Sequence, residues 1–578
     1  MKRFLLVIVA CAAISTTVGA GSVPVRAGGG MVASQNALAS TIGADVIKDG
    51  GTAIDAAVAT AFALAVVHPT AGNIGGGGFL VYRPATGQPM TYDFREVAPA
   101  KSSPTMFLQN GKYSADLQHN SYLAVGVPGT VAGLNLAWKD QGKLPWKRLV
   151  EPAVALARDG FIVTDGLARS LKGELKTFAK FPASLAQFSK NGVPYEAGDT
   201  LKQPDLARTL ERIAMQGPAG FYEGETAAAI EKEMLAHGGL ITREDLKRYT
   251  AKRRAPVTGT YRGYDVISMP PISSGGVALV EMLNVLEGYD LKEMGAGSSA
   301  AVHVMVESMK RAYADRAHYL GDPDFNHDMP LARLMSKDYA AELRKTISPD
   351  HTEKSSPATF EWPHESDETT QISIVDGSHN AVSMTYTLEQ GYGVKVVVPG
   401  AGFLLNNEMG DFNAAPGLTT AEGLIGTEPN LAAPGKRMLS SMSPTILAKD
   451  GQLAMVTGSP GGRTIINTVL ETIVDVVDFG MNAQEAVDAP RFHHQWLPDK
   501  IQYERYGLSP DTIAALQKRG HTLQMIPGAG SSQGVAQVII LDGKDDMLEG
   551  GTDHRAPDGA AIGVPARAAV RSSAAARK

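Results

Sequence analysis

Between residues 371 and 389 apolar and polar side chains alternate. Gln371-Ile372-Ser373-Ile374-Val375-Asp376 has the period of two of a strand, and Gly377-Ser378-His379-Asn380 supplies turn residues. Ala381-Val382-Ser383-Met384-Thr385-Tyr386-Thr387-Leu388-Glu389 follows, rich in β-branched and aromatic residues, so the pair predicts a hairpin. A hairpin returns the end of its second strand to the start of its first. Thr387 and Glu389 are therefore expected beside Thr369, on one face of the sheet. A second hairpin is predicted around Lys449-Asp450-Gly451. It runs out into Thr457-Gly458-Ser459-Pro460-Gly461-Gly462, with a helix expected over 464–479. Residues Val302, Met305, Met309, Tyr313 and Leu320 mark a helical stripe over 302–320, and 510–519 reads as another helix. Ala53–Val67 is almost wholly apolar, yet it holds Asp55 and stops before Pro69. It is too short to span a bilayer and reads as a buried helix. The pattern predicts helices in the first part of the chain and strands clustered over 372–457.

Length alone leaves room for several domains in 578 residues, but no long linker or repeat divides them. Hydrophobic and charged fractions of 44% and 20% are ordinary for a globular protein. Lys2-Arg3, an apolar run and then small residues to Ala20 read as a secretory signal (1–20), with cleavage as late as Ala27 the alternative. Ile8-Val9-Ala10-Cys11 also fits a lipoprotein signal, although the run before it is short. Export, periplasmic or extracellular, is expected on either reading. Cys11 is the sole cysteine, so cleavage at Ala20 leaves a chain without thiol or disulfide. The net charge of −6, more negative once Lys2 and Arg3 are removed, argues against nucleic acid as a partner. The Ala-rich tail 566–578, with three arginines and a terminal lysine, is expected to be disordered.

Chemistry concentrates around Thr369-Thr370. A threonine hydroxyl is a poor nucleophile unless a base takes its proton, and one economical base is the residue's own α-amine, titrating near about pH 8 when free. That amine exists only if the Glu368–Thr369 bond is cut. Gly402-Phe403-Leu404-Leu405-Asn406-Asn407-Glu408-Met409-Gly410-Asp411 then places two carboxylates after an apolar run, and Lys436-Arg437-Met438-Leu439-Ser440-Ser441 adds two hydroxyls. Adjacent glycines ahead of a helix leave backbone N–H groups unobstructed, which suits an oxyanion or phosphate.

With His68-Pro69-Thr70-Ala71-Gly72-Asn73-Ile74-Gly75-Gly76-Gly77-Gly78-Phe79, Asp93-Phe94-Arg95-Glu96-Val97-Ala98-Pro99 and Ala489-Pro490-Arg491-Phe492-His493-His494-Gln495-Trp496, these segments stand in the order of one family. The chain resembles the γ-glutamyltransferases of the N-terminal-nucleophile hydrolase superfamily, from about 32 to about 563. The resemblance implies an α+β fold, a four-layer αββα sandwich. It is built from two subunits of one precursor, a large one at 28–368 and a small catalytic one at 369–578, paired as a heterodimer. It also implies that the γ-glutamyl group of glutathione passes through a threonine ester to water, or to an amino acid or peptide. No metal or organic cofactor is required.

Matched residue by residue, the resemblance makes Thr369 the nucleophile and Thr387 its hydrogen-bonding support. Arg95 with Ser440 and Ser441 would grip the donor's α-carboxylate, and Asp411 with Glu389 and Glu408 nearby would hold its α-ammonium. Gly461 and Gly462 would form the oxyanion hole. The tetraglycine 75–78 lacks the spacing of a nucleotide-binding loop and reads as close backbone packing. His493-His494 read as packing residues. Three departures stand out: Gln371 where the family often has histidine, Gly410 in place of one acid of a pair, and Glu422 in the lid where bacterial relatives often carry tyrosine. The acid at 422 is expected to loosen the lid or alter acceptor choice. Two rivals remain: a glutaryl-cephalosporin acylase of the same family, which would not need Asp411, and a binding protein dead to processing.

Overall fold

The segment 371–389 forms the hairpin its alternation predicts. Thr370–Asp376 pairs antiparallel with Ala381–Thr387 in the computed structural model, which describes residues 22–355, 369–418, 427–526 and 533–566. The expected signal with Cys11, Glu368, Glu422 and all of the tail except Ala566 lie outside the described residues.

The hairpin sits in the middle of a seven-stranded antiparallel sheet. Gly30–Ser34 and then Ala560–Gly563 continue it on one side, and Gly77–Arg83, Met90–Asp93 and Lys252–Arg254 on the other. All seven residues of each hairpin strand are buried, because both faces are covered. On one face lies Ala53–Val67, buried at every position as its unbroken apolar sequence requires, and Tyr386 donates its hydroxyl to Ala61 O at 3.0 Å. On the other face lies a second seven-stranded antiparallel sheet. Its middle is the hairpin Thr445–Lys449 with Gln452–Gly458, flanked by Gln537–Asp542 and Tyr264–Ser268. Asp450 and Gly451 at its turn both have positive φ, 51° and 76°, the geometry of a two-residue turn that matches strand twist.

Hydroxyls stitch the two sheets together near the functional end. Ser373 Oγ donates to Gln537 O at 2.9 Å and Ser383 Oγ to Thr457 O at 2.7 Å. Gly275–Leu286, Ser299–Tyr319 and Thr464–Val477 cover the outer face of the second sheet. There Leu279, Leu283, Met309, Ile466 and Leu470 pack with Ile446, Leu447, Met455 and Val456. The layers run helix, sheet, sheet, helix, the αββα sandwich. Among the described residues no helix is long and apolar enough to cross a membrane.

Helices are found where the periodicity places them, with shifted ends. The stripe at 302–320 belongs to Ser299–Tyr319, which starts earlier because Ser298 Oγ accepts from Ala301 N at 3.1 Å and caps it. The other two end one or two residues short, at Val477 and Lys518. Strands are not confined to 372–457: the first part supplies Gly30–Ser34, Gly77–Arg83 and Met90–Asp93 to the first sheet. Glycines and short lengths mask their alternation.

Candidate active site

Nine of the predicted residues line one pocket of about 270 Å³ at the end of the sandwich: Thr369, Thr387, Glu389, Arg95, Glu408, Asp411, Ser440, Ser441 and Gly462. Met442 and Ile465 complete the lining; Gly461, the chain neighbour of Gly462, is not part of it.

Register places the two threonines together. Thr370 pairs with Tyr386, so one step further Thr369 faces Thr387 on the side of the sheet that meets the second sheet. Both are nearly buried, at 5% and 3% exposure. Glu389 N donates to Thr387 Oγ1 at 2.9 Å, which orients that hydroxyl. Asn73, which sequence reasoning passed over, donates Nδ2 to Thr387 O at 2.8 Å and accepts from Gly76 N at 2.9 Å and Thr130 Oγ1 at 2.7 Å. The tetraglycine packs as expected. A Cβ on Gly76 would collide with Thr387 O, and one on Gly77 would lie 2.5 Å from Phe94 O. Glu389 follows with φ +79°, a left-handed conformation that costs a non-glycine residue about 1–3 kcal/mol and turns its carboxylate into the pocket.

Arg95 is fully buried and its guanidinium bonds to Glu408 and Asp411, with Glu96 at 3.9 Å. It also donates through Nε to Met438 O and through Nη2 to Leu439 O, each at 3.3 Å. Burial works to lower its pKa, but Glu408, Asp411 and Glu96 outweigh burial and hold it above the ordinary arginine value. Glu408 and Glu96 both stand buried beside Arg95. Burial pushes both carboxyls above the usual carboxylate range, and Arg95 offsets only part of that. The pocket thus holds one cation against three acids, with Glu96 behind them.

Backbone contacts fix this acidic turn. Asn406 Nδ2 donates to Gly75 O and Gly126 O at 2.8 Å, while Asn406 Oδ1 accepts from Glu408 N at 3.0 Å. Asn430 joins the acids to the serines: Nδ2 donates to Asp411 O at 2.7 Å and Oδ1 accepts from Leu439 N at 2.9 Å. Gly410 has a packing reason, because a Cβ there would stand 2.5 Å from His119 Nδ1.

Ser440 Oγ accepts from Met442 N at 3.1 Å, and Ser441 Oγ accepts from Arg316 Nη2 at 2.9 Å. Arg316, 1% exposed, projects from the last turn of Ser299–Tyr319, and no motif marked it. Gly461 and Gly462 have φ of +130° and +53° and turn the chain from Gln452–Gly458 into Thr464–Val477. Among the described residues neither glycine N–H is taken by another protein group. A Cβ on Gly461 would meet Thr464 Oγ1 at 2.5 Å and Gly534 Cα at 2.9 Å.

Gln371 lies beneath the site, wholly buried. Its Nε2 donates to Ser383 Oγ at 3.0 Å and its Oε1 accepts from Thr385 Oγ1 at 2.6 Å, against Gly458, where any Cβ would collide with it. The residue ties the two hairpin strands together and packs against Gly458 of the second sheet rather than lining the pocket. His493 and His494 are buried elsewhere, His493 against Asn467 and His494 against Asp499, and burial pulls both below the ordinary histidine pKa. His303, Glu307 and His521 bring ligand-type atoms within 4.8 Å of one another. Lys310 and Arg311 already hold Glu307, and the ring nitrogens of His303 meet His521 and Ser348 O, so the group is a buried network that anchors 348–355.

Two stacked antiparallel sheets between helix layers, with a pocket-lining threonine one residue before a central strand, define an N-terminal-nucleophile hydrolase. A family model described as gamma-glutamyltranspeptidase matches residues 39–563. The chain is 48% identical over 540 residues to the glutathione hydrolase proenzyme of Escherichia coli K12, covering 93% of this chain and 92% of that one. Among solved structures it is similar to a cephalosporin acylase from Bacillus halodurans, with TM-score 0.83, 29% identity and 97% and 100% coverage. It is also similar to the Helicobacter pylori gamma-glutamyltranspeptidase, with TM-score 0.54, 47% identity and 55% and 91% coverage. The chain belongs to the γ-glutamyltranspeptidase family.

Proposed function

We propose that the protein is a self-processing γ-glutamyltransferase that also hydrolyses glutathione. One observation carries the reading: a pocket with one guanidinium, two serines and three carboxylates beside a paired Thr369 and Thr387. That set of charges suits a zwitterionic head group, whose carboxylate needs donors and whose ammonium needs acids within a few ångströms.

The chemistry starts with cleavage at Glu368–Thr369. The Thr369 hydroxyl attacks the Glu368 carbonyl, the acyl group moves from N to O, and water hydrolyses the ester, leaving an amine on Thr369 and subunits 28–368 and 369–578. In turnover that amine, directly or through water, takes the proton of the Thr369 hydroxyl as the oxygen attacks the γ-carbonyl of the donor. Thr387 supports the nucleophile by hydrogen bonding. The oxyanion is met by the N–H groups of Gly461 and Gly462. The C–N bond breaks, the ammonium returns its proton to the leaving amine, and a γ-glutamyl ester remains on Thr369. Water then releases glutamate, or an amino acid or peptide amine takes the group. Arg95, Ser440 and Ser441 hold the α-carboxylate throughout, and Asp411 with Glu389 and Glu408 holds the α-ammonium. The proenzyme name of the Escherichia coli relative supports the cleaved heterodimer and glutathione as donor. The signal reading supports export.

The acylase neighbour raises a second reading, in which the donor is glutaryl. Glutaryl lacks the α-ammonium, and the acids in excess of the single Arg95 charge would then have no cation to hold. Turnover of γ-glutamyl and glutaryl amides of one leaving amine separates the two. The γ-glutamyl donor is expected to be preferred by about 10²-fold or more in kcat/KM, the scale on which sites built for a polar group reject analogues lacking it. Preference for glutaryl would overturn the reading.

Gly461→Ala probes the oxyanion turn. The strained φ and the Thr464 and Gly534 contacts force the turn to shift. A fall in kcat of about 10²–10³, with KM little changed, is expected. Steady-state kinetics check it, and an unaltered kcat would remove this turn from the mechanism.

A further inference from the structure

Two buried guanidiniums grip the segment 438–441, and only Arg95 has a part in the reading above. Arg95 takes the carbonyls of Met438 and Leu439. Arg316 takes the next two residues. Its Nη2 donates to Ser441 Oγ at 2.9 Å and its Nε to Ser274 Oγ at 2.6 Å. Ser274 in turn donates its hydroxyl at 2.6 Å and its N–H at 2.8 Å to Ser440 O. Ser440 and Ser441 line the pocket, whereas Arg316 and Ser274 stand behind them.

A hydroxyl has one hydrogen to give and two lone pairs to receive. Ser441 Oγ receives from Arg316, which is permanently charged and can only donate, so the hydroxyl hydrogen of Ser441 must point away from Arg316. With that lone pair committed, Ser441 meets a substrate as a donor, which a carboxylate oxygen can accept and an ammonium cannot. A donor held this way favours a carboxylate over a neutral group, because a hydrogen bond to a charged acceptor is the stronger.

We infer that Arg316 is a positioning residue that fixes Ser441 as a donor and sets the preference for substrates bearing an α-carboxylate. The inference rests on the γ-glutamyl reading and adds to it a specificity determinant that never touches substrate.

The test uses the full-length, matured protein and two donors. One is a γ-glutamyl anilide; the other is the same compound with its α-carboxylate converted to the primary amide. Arg316→Gln is expected to raise KM for the acid donor by about 10- to 100-fold, the scale of one hydrogen bond to a charged group. Its kcat should stay within about threefold, because binding lost equally in ground and transition states appears in KM. For the amide donor kcat/KM should change by less than about threefold, so discrimination between the donors collapses. Arg316→Lys, which keeps the charge but not the fork, should fall between. Equal losses on both donors would make Arg316 a merely structural residue and overturn the inference. Should Arg316→Gln fail to mature, Arg316→Lys and Ser274→Ala decide: wild-type discrimination in both overturns it. A wild-type enzyme inactive on the acid donor would instead overturn the γ-glutamyl reading together with the inference.

Discussion

Thr369→Ala is expected to remain one uncut chain with no measurable turnover. The change removes a hydroxyl and a methyl from a residue 5% exposed and leaves the backbone of Thr370–Asp376 in place. Packing loss is small, about 1 kcal/mol, so the sandwich should still form. The loss in kcat should reach on the order of 10⁴-fold or more, the scale on which deleted nucleophiles act. Intact mass and N-terminal sequencing read the first expectation, and release of glutamate from glutathione reads the second. Wild type should give two fragments, the smaller beginning at Thr369. A cut Thr369→Ala chain would place the nucleophile on another residue. A wild-type chain that stays whole yet active would detach turnover from self-cleavage.

Arg95→Met carries the second large effect, on binding and stability together. Glu408, Asp411 and Glu96 surround this one guanidinium in a buried site. Removing one partner of a buried ion pair costs about 3–5 kcal/mol, because the charges left behind have neither water nor counterion. KM for γ-glutamyl donors should rise by about 10²-fold or more if, as proposed, Arg95 holds the α-carboxylate. The stability loss should depend on pH. Glu408 and Glu96 already titrate above the ordinary carboxylate range, and without Arg95 they move further up. A carboxyl whose folded pKa is raised contributes stability that is present below the unfolded value of about 4.3 and lost as pH rises through the folded value. The deficit of Arg95→Met should therefore be smallest below about pH 4, where the carboxyls are mostly neutral in both states, and grow through neutral pH. Denaturation midpoints across that range check the sign. A deficit constant with pH would mean that these carboxyls do not respond to Arg95.

The local pattern made much of this legible, and what it missed has a physical reason. Alternation over 371–389 with four turn residues was enough to place Thr387 and Glu389 beside Thr369, because antiparallel register is fixed by turn length and burial. Ala53–Val67 was legible because an all-apolar helix has to be buried on every side. The first sheet's strands from the early part of the chain were not. Gly77–Arg83 opens on glycines that read as a loop; the reason for glycine at Gly78 lies in the carbonyl of Thr385, and at Gly76 just before the strand in that of Thr387, each more than 300 residues away. Arg316 escaped for a related reason. An arginine near the end of an amphipathic helix looks like a solvated side chain. Its burial follows from how that helix packs over the serine segment, which no local pattern encodes. Asn73 was quoted within a motif, yet its bond to the Thr387 carbonyl appears only once both sides of the fold are assembled.

The strand order has a consequence for the matured protein. Gly30–Ser34 pairs with Thr370–Asp376, and Gly77–Arg83 with Ala381–Thr387. In the second sheet Tyr264–Ser268 pairs with Thr445–Lys449. Each sheet mixes chain from before and after residue 369, so a break at 368–369 leaves each piece with sheet edges and apolar faces that only the other piece completes. The cut halves cannot come apart at an interface and later re-dock, as subunits with finished surfaces do. Dilution should leave them together, and separation and global unfolding should be one cooperative event. A nick there would give the site a new chain end while the architecture keeps the memory of a single chain.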